Sequence, residues 1–186
     1  IGVAKADSTV EPAFLESCIR EDLKLKAPRY MTVVDPIKVV LTNYPKDLTE
    51  TVVADNNQEN EEMGTRLMTF SRELYIERSD FMEDPVKKFF RLAPGKEVRL
   101  KYAYIIKCEE VIKDADGNIT ELRCTCDMDS KSGSGANANR KVKGTLHWVN
   151  AADAIDTECR LYESLLKTDS EGDDGDFLSQ VNPHSL

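Results

Sequence analysis

In 186 residues the chain has two histidines, one tryptophan and five cysteines, and each scarcity excludes a chemistry. There is no Cys-x-x-Cys pair, so a thiolate zinc site is not expected. The cysteines, Cys18, Cys108, Cys124, Cys126 and Cys159, are odd in number and sparsely spaced. With no secretory pattern, this predicts reduced thiols and a cytoplasmic setting. Cys124-x-Cys126 places two thiols on one face of a strand, where they read as half-buried strand residues. His147, in Leu146-His-Trp-Val149, reads as a packed, hydrogen-bonded strand residue, and His184, beside Pro183, as an exposed one. Neither has a Cys or Ser nucleophile at an informative spacing, so no catalytic residue is expected. The carboxylates form no EF-hand loop or metal cluster, so no metal ligands are expected either. The glycines of Ser132-Gly-Ser-Gly-Ala136 are not followed by Gly-Lys-Ser/Thr and do not form a phosphate loop. No apolar run reaches about 18 residues, the length needed to span a membrane as a helix. The start, Ile1-Gly-Val-Ala-Lys5, has no Met and no signal pattern, which predicts a piece of a longer or processed chain.

Of the residues present, 40% are hydrophobic, which supplies a core and argues against disorder. The net charge is −9, but it is unevenly distributed. Between Val86 and Lys107 lie Lys87, Lys88, Arg91, Lys96, Arg99, Lys101 and Lys107, opposed by Glu97 alone. Glu50–Glu62 has acids and no cation, and Asp153–Asp176 is strongly acidic. An acidic body with one basic stripe can bind a polyanion locally while repelling it elsewhere.

The pattern predicts a helix over 8–26, with Ser8-x-x-Glu11 as a capping box and Phe14, Leu15, Cys18, Ile19 and Leu23 at helical spacing. Ala27-Pro28 ends it. Strands are predicted over 31–41, interrupted at Asp35-Pro36, and over 67–76, 96–111, 119–126 and 141–149. A turn is expected over 43–49, an exposed acidic loop over 55–62 and a short helix over 79–90. Asp114–Asn118 is a hairpin signal, 129–139 a flexible loop and 169–176 a linker, while 151–166 fits helix and strand equally. Many strands without βαβ alternation predict a mainly β fold, a closed or partly closed β-barrel with a short N-terminal helical lead-in.

Within the stripe, cations interleave with Phe89, Phe90, Tyr102 and Tyr104. Guanidinium forks match base edges and aromatic faces stack unpaired bases, a combination suited to single-stranded RNA. On a continuous strand Arg99 and Lys101 would share a face.

Ala27-Pro-Arg-Tyr-Met31, with Val34-Asp-Pro-Ile-Lys38, resembles the C-terminal anticodon-binding half of glutaminyl-tRNA synthetases. The resemblance continues through Leu15-Glu-Ser-Cys-Ile-Arg-Glu-Asp22, Met63-Gly-Thr-Arg66, Ile76-Glu-Arg-Ser-Asp-Phe81 and Gly95-Lys-Glu-Val-Arg-Leu100. It extends through Asp114–Thr120, Lys141-Val-Lys-Gly144, His147-Trp148, Arg160-Leu-Tyr162 and Asp176-Phe-Leu178. Archaeal-type glutamyl-tRNA synthetases share this domain. The resemblance implies a ribosomal-protein-like anticodon-binding barrel in three parts: the end of a helical connecting subdomain over 1–27, a proximal barrel over 28–150, and the start of a truncated distal barrel over 151–186.

It implies tRNA, through its anticodon stem-loop, and the rest of the synthetase chain as partners, with no membrane and no DNA. It implies no cofactor in this chain, since ATP and Mg belong to a catalytic domain whose His-x-Gly-His and Met-Ser-Lys type motifs are absent, so the chain alone should be inactive. It also implies RNA-contacting residues. Arg29 falls on a reader of the middle anticodon base, Arg91 on one at the third base and Arg99 on one near the first. Lys101 replaces a second arginine there, losing the planar fork. Phe90 stands for a lysine, Lys88 for a glutamine and Lys24 for an asparagine, and an RNA-contacting asparagine falls near 57–60. A different class of function, a β-barrel module binding an acidic protein, uses the same stripe.

Overall fold

The computed structural model describes residues 10–167 and 177–185. Ser8 of the predicted capping box, the linker 169–176 and Asp176 lie outside the described residues. Packing divides the chain into two units, Ile1–Ala154 and Ile155–Leu186.

The first unit opens with α1 (Pro12–Leu23), started by proline in its first turn. Phe14, Leu15, Ile19 and Leu23 recur as predicted, yet all are exposed. The strands are β1 (Pro36–Leu41), β2 (Glu50–Asp55), β3 (Thr65–Phe70), β4 (Glu73–Glu77), β5 (Glu97–Leu100), β6 (Ile105–Lys113), β7 (Ile119–Asp127), β8 (Thr145–Leu146) and β9 (Val149–Asn150). β2 and β3 form a separate antiparallel hairpin. The other seven form one sheet in the order β8-β5-β6-β7-β1-β4-β9. Its edge strands, β8 and β9, are separated only by His147 and Trp148. One short segment therefore pairs with β5 at one edge and β4 at the other, and the sheet curls into the predicted partly closed barrel.

Alternation along the strands fills the interior. Ile37, Val39 and Leu41 of β1, Leu74 and Ile76 of β4, and Leu122, Cys124 and Cys126 of β7 are all buried. Tyr44, Phe70, Tyr104 and Trp148 form a cluster with ring centroids 5.1–6.3 Å apart, edge-to-face except for the tilted Phe70–Tyr104 pair. Cys124 lies opposite Cys108 across the β6–β7 ladder. Burial pushes the Cys126 thiol up to about 12, so it is unreactive at neutral pH.

Several predicted elements divide. The strand expected over 67–76 is two, because Ser71 and Arg72 carry the chain from the hairpin into the barrel. There Leu41 N donates to Arg72 O at 2.9 Å, and Arg72 donates to Tyr44 O at 2.9 Å. The strand expected over 96–111 is the β5–β6 hairpin, whose tight turn holds Tyr102 at φ 65° and is closed by Leu100 N to Tyr104 O at 2.8 Å. The helix expected over 79–90 is a 3₁₀ turn, Arg78–Asp80, followed by irregular chain. Pro85 removes a backbone donor and Lys88 sits at φ 75°. The strand expected over 141–149 survives only as β8 and β9, and 151–166 is irregular. The predicted flexible loop 129–139 is tied by Asn137 N to Asp129 O at 2.7 Å and Ser132 N to Ala103 O at 3.0 Å. The Asp114–Asn118 hairpin turn forms as expected, with Gly117 at φ 86°.

The second unit holds α2 (Phe177–Gln180) and a Leu166–Val181 bridge, supported by Asn182 N to Leu165 O at 2.7 Å.

Candidate nucleic-acid interface

The expected contact residues fall into two groups on the first unit, with Arg99 held apart from both. The first group lines an open cleft of about 740 Å³, with Phe90, Arg91, Lys96, Lys107, Lys141 and Lys143 on its walls. β5 and β6 bring Lys96 and Lys107 together, because Glu97 faces Lys107 in register. Glu97, the one acid of the stripe, is taken by Arg140 at 2.8 and 3.2 Å. Lys96 and Lys141 make no ion pair among the described residues, whereas Lys107 meets Glu109 at 3.0 Å. Lys143 Nζ lies 5.0 Å from the Phe90 ring centroid. The Phe90 backbone is seated on Gly144, where a Cβ would come 2.1 Å from Phe90 O. Arg91 Nη1 is 2.8 Å from Asp80 Oδ1. Burial pushes the Asp80 carboxyl above its ordinary range, with Arg91 and His147 opposing that shift.

The second group surrounds the loop after β2. Glu59 accepts from Arg29 at 3.0 Å and pairs with Lys24 at 3.2 Å. The hydrogen bond from Arg29, with the help of Lys24, holds the Glu59 carboxyl below its ordinary range. Lys101 Nζ reaches Gln58 Oε1 at 3.3 Å. Arg66 stacks 4.7 Å from the ring centroid of Tyr30, which is exposed. Asn57, in the region where the resemblance puts an RNA-contacting asparagine, is buried. Its amide donates to Lys24 O at 2.9 Å and Ala27 O at 3.1 Å, fastening the loop to the end of α1.

Arg99 and Lys101 do not share a face, because Lys101 lies in the turn that splits the expected strand. Arg99 donates to Ser130 O at 2.8 Å, Ser132 Oγ at 3.1 Å, Ala103 O at 3.3 Å, Ala138 O at 2.9 Å and Arg140 O at 3.1 Å. Burial lowers its pKa, and the nearby Arg140 adds to the effect. Its forked donors hold loop 130–140 against the β5–β6 turn. Lys88 is exposed on the turn before Phe90. His147 is half-buried, and its Nε2 lies 3.8 Å from Glu77 Oε1, beyond hydrogen-bond reach, whereas Trp148 is fully packed and donates to Lys101 O at 2.9 Å. His184 is exposed, as expected.

Sequence reasoning did not single out Lys141, Lys143, Tyr30, Arg66 or Asp80. Lys141-x-Lys143 followed by Gly144 was the available signal, but it lies far along the chain from the stripe it joins. Among the described residues no His/Cys/Asp/Glu group could hold a metal ion, and no helix is long and apolar enough to cross a membrane.

Fold and site together define a partly closed β-barrel that carries a cationic, aromatic-flanked cleft. The family described as "tRNA synthetases class I (E and Q), anti-codon binding domain" matches residues 27–127, and a second family of the same description matches 145–186. The chain belongs to this family of anticodon-binding domains. It is 57% identical over its whole length to a glutamine–tRNA ligase of Clostridium perfringens and 55% identical to one of Tolumonas auensis, covering 34% of each. A Salmonella choleraesuis glutamine–tRNA ligase is 52% identical over the whole chain, which covers 33% of it. The chain thus spans about a third of the length of the curated relatives it matches. The expected resemblance to glutaminyl-tRNA synthetases is borne out.

Proposed function

We propose that this chain is the anticodon-reading part of a glutamine–tRNA ligase, and that its partners are the anticodon stem-loop of tRNA and the rest of the synthetase chain. The parent enzyme would use ATP with Mg to activate glutamine in its catalytic domain, releasing AMP and pyrophosphate on charging, in the cytoplasm. In this reading 28–150 is the proximal barrel, following the end of a helical subdomain over 1–27, and 151–186 begins a distal barrel. The observation that carries the reading is the cleft. There an oriented Arg91 sits beside an exposed Phe90, with unpaired Lys96 and Lys141 within the same walls.

Lys96, Lys141 and Lys88 attract phosphates, and Arg91 and Phe90 meet a splayed base. Lys24, Arg29 and Lys101 form a second contact area once RNA displaces Glu59 and Gln58. Arg99 contributes by holding the loop beneath. A glutamine-tRNA anticodon hairpin, and the same hairpin with its third anticodon base changed, would be titrated at several salt concentrations. Selective binding that weakens with salt is expected, and Arg91→Ala should remove roughly 1–3 kcal/mol of preference at that base. Equal binding to both hairpins, or none, overturns the reading.

A further inference from the structure

The Asp80–Arg91 pair is asymmetric: the Asp80 side chain is 7% exposed and the Arg91 side chain 52%. Backbone contacts build the pairing. Leu92 N donates to Asp80 O at 3.0 Å, Met82 N donates to Leu92 O at 3.1 Å, and Phe81 bridges Leu92 in parallel. Ser79 O takes a second bond from the same Nη1 at 3.3 Å. Among the described residues, every bond Arg91 makes to the protein leaves from Nη1, on a guanidinium that lines the cleft. A free arginine is a mobile charge that takes any phosphate, whereas an arginine anchored at one nitrogen presents its remaining donors in a fixed plane. A buried carboxylate also cancels much of the charge that would attract phosphate indiscriminately. Lys96 and Lys141, in the same cleft, have no such anchor.

We propose that Asp80 is the positioning residue that makes Arg91 a reader of base edges rather than of phosphate. The inference rests on Arg91 contacting a base, as proposed above.

A double-mutant cycle on the 186-residue chain tests it, using Asp80→Asn, Arg91→Ala and the double variant with the matched and third-base-changed hairpins at low and moderate salt. Asparagine keeps the shape of the side chain and removes its charge. Asp80→Asn should reduce the preference between hairpins about tenfold and steepen the salt dependence, as Arg91 turns to phosphate. In the Arg91→Ala background it should change the preference less than about twofold. A loss of affinity equal for both hairpins, or one that persists without Arg91, overturns the proposal and leaves Asp80 structural. If Arg91→Ala itself leaves the preference intact, base reading by Arg91 has failed and the proposal falls with it. The second measurement needs no variant. The protons on Arg91 Nη1 should give a resolved nitrogen-15 signal, with rotation about the Cζ–Nη1 bond slowed, and averaging of these signals with those of freely exposed arginines overturns the anchoring even if Asp80→Asn does not fold.

Discussion

Glu50 draws Tyr44, Tyr104 and Lys131 to one carboxylate beneath the aromatic cluster. Burial pushes its pKa up, but hydrogen bonds from Lys131, Tyr104 and Tyr44 outweigh burial and hold it below the ordinary glutamate range. The stability it contributes is therefore present above that range and lost as pH falls through the folded pKa. Glu50→Gln should lower stability by about 1–3 kcal/mol at neutral pH. The deficit relative to the unsubstituted chain should shrink in acid, which urea denaturation at both pH values would show. Arg91 and Arg99 show how burial divides one basic stripe. Both are cations in one run of sequence, yet the five acceptors around Arg99 give it a structural task that no pattern of charge or spacing announces.

Among the elements, the turn that presents Phe90 depends on β8. Gly144 lets the Phe90 carbonyl pass so close that a methyl group would overlap it. Gly144→Ala should lift this turn from the barrel, cost roughly 1–3 kcal/mol by overpacking, and reduce third-base preference. Thermal melting and the paired hairpins read these two effects separately. Two predicted elements failed for a related reason. Lys88 and Tyr102 take positive φ without being glycine, so the turns they make leave no compositional mark. By contrast, the β6–β7 hairpin was legible because Asp114 and Gly117 are the residues such a turn requires.

At the scale of the molecule, every buried hydrophobic side chain among the described residues lies between Ile37 and Trp148, and the described part of Ile155–Leu186 adds none. Removing residues 155–186 should leave the melting temperature of the remainder within a few degrees, since stability follows the apolar area buried. A large drop, or loss of a cooperative transition, would show that the first unit does not fold alone. With its net charge of −9, the acidic body would confine a polyanion to the two contact areas proposed above.

Sequence alone determined the mainly β character, through alternation and turn chemistry, and the family, through motifs in order along the chain. Both are local or linear properties. Only the tertiary structure brought Lys141 and Lys143 beside Lys96 and Arg91, sent Arg99 inward, and set Asp80 against Arg91. Closing a sheet joins residues from distant parts of the chain, and whether a charge meets solvent or a ring of carbonyls depends on that closure rather than on its neighbours in sequence.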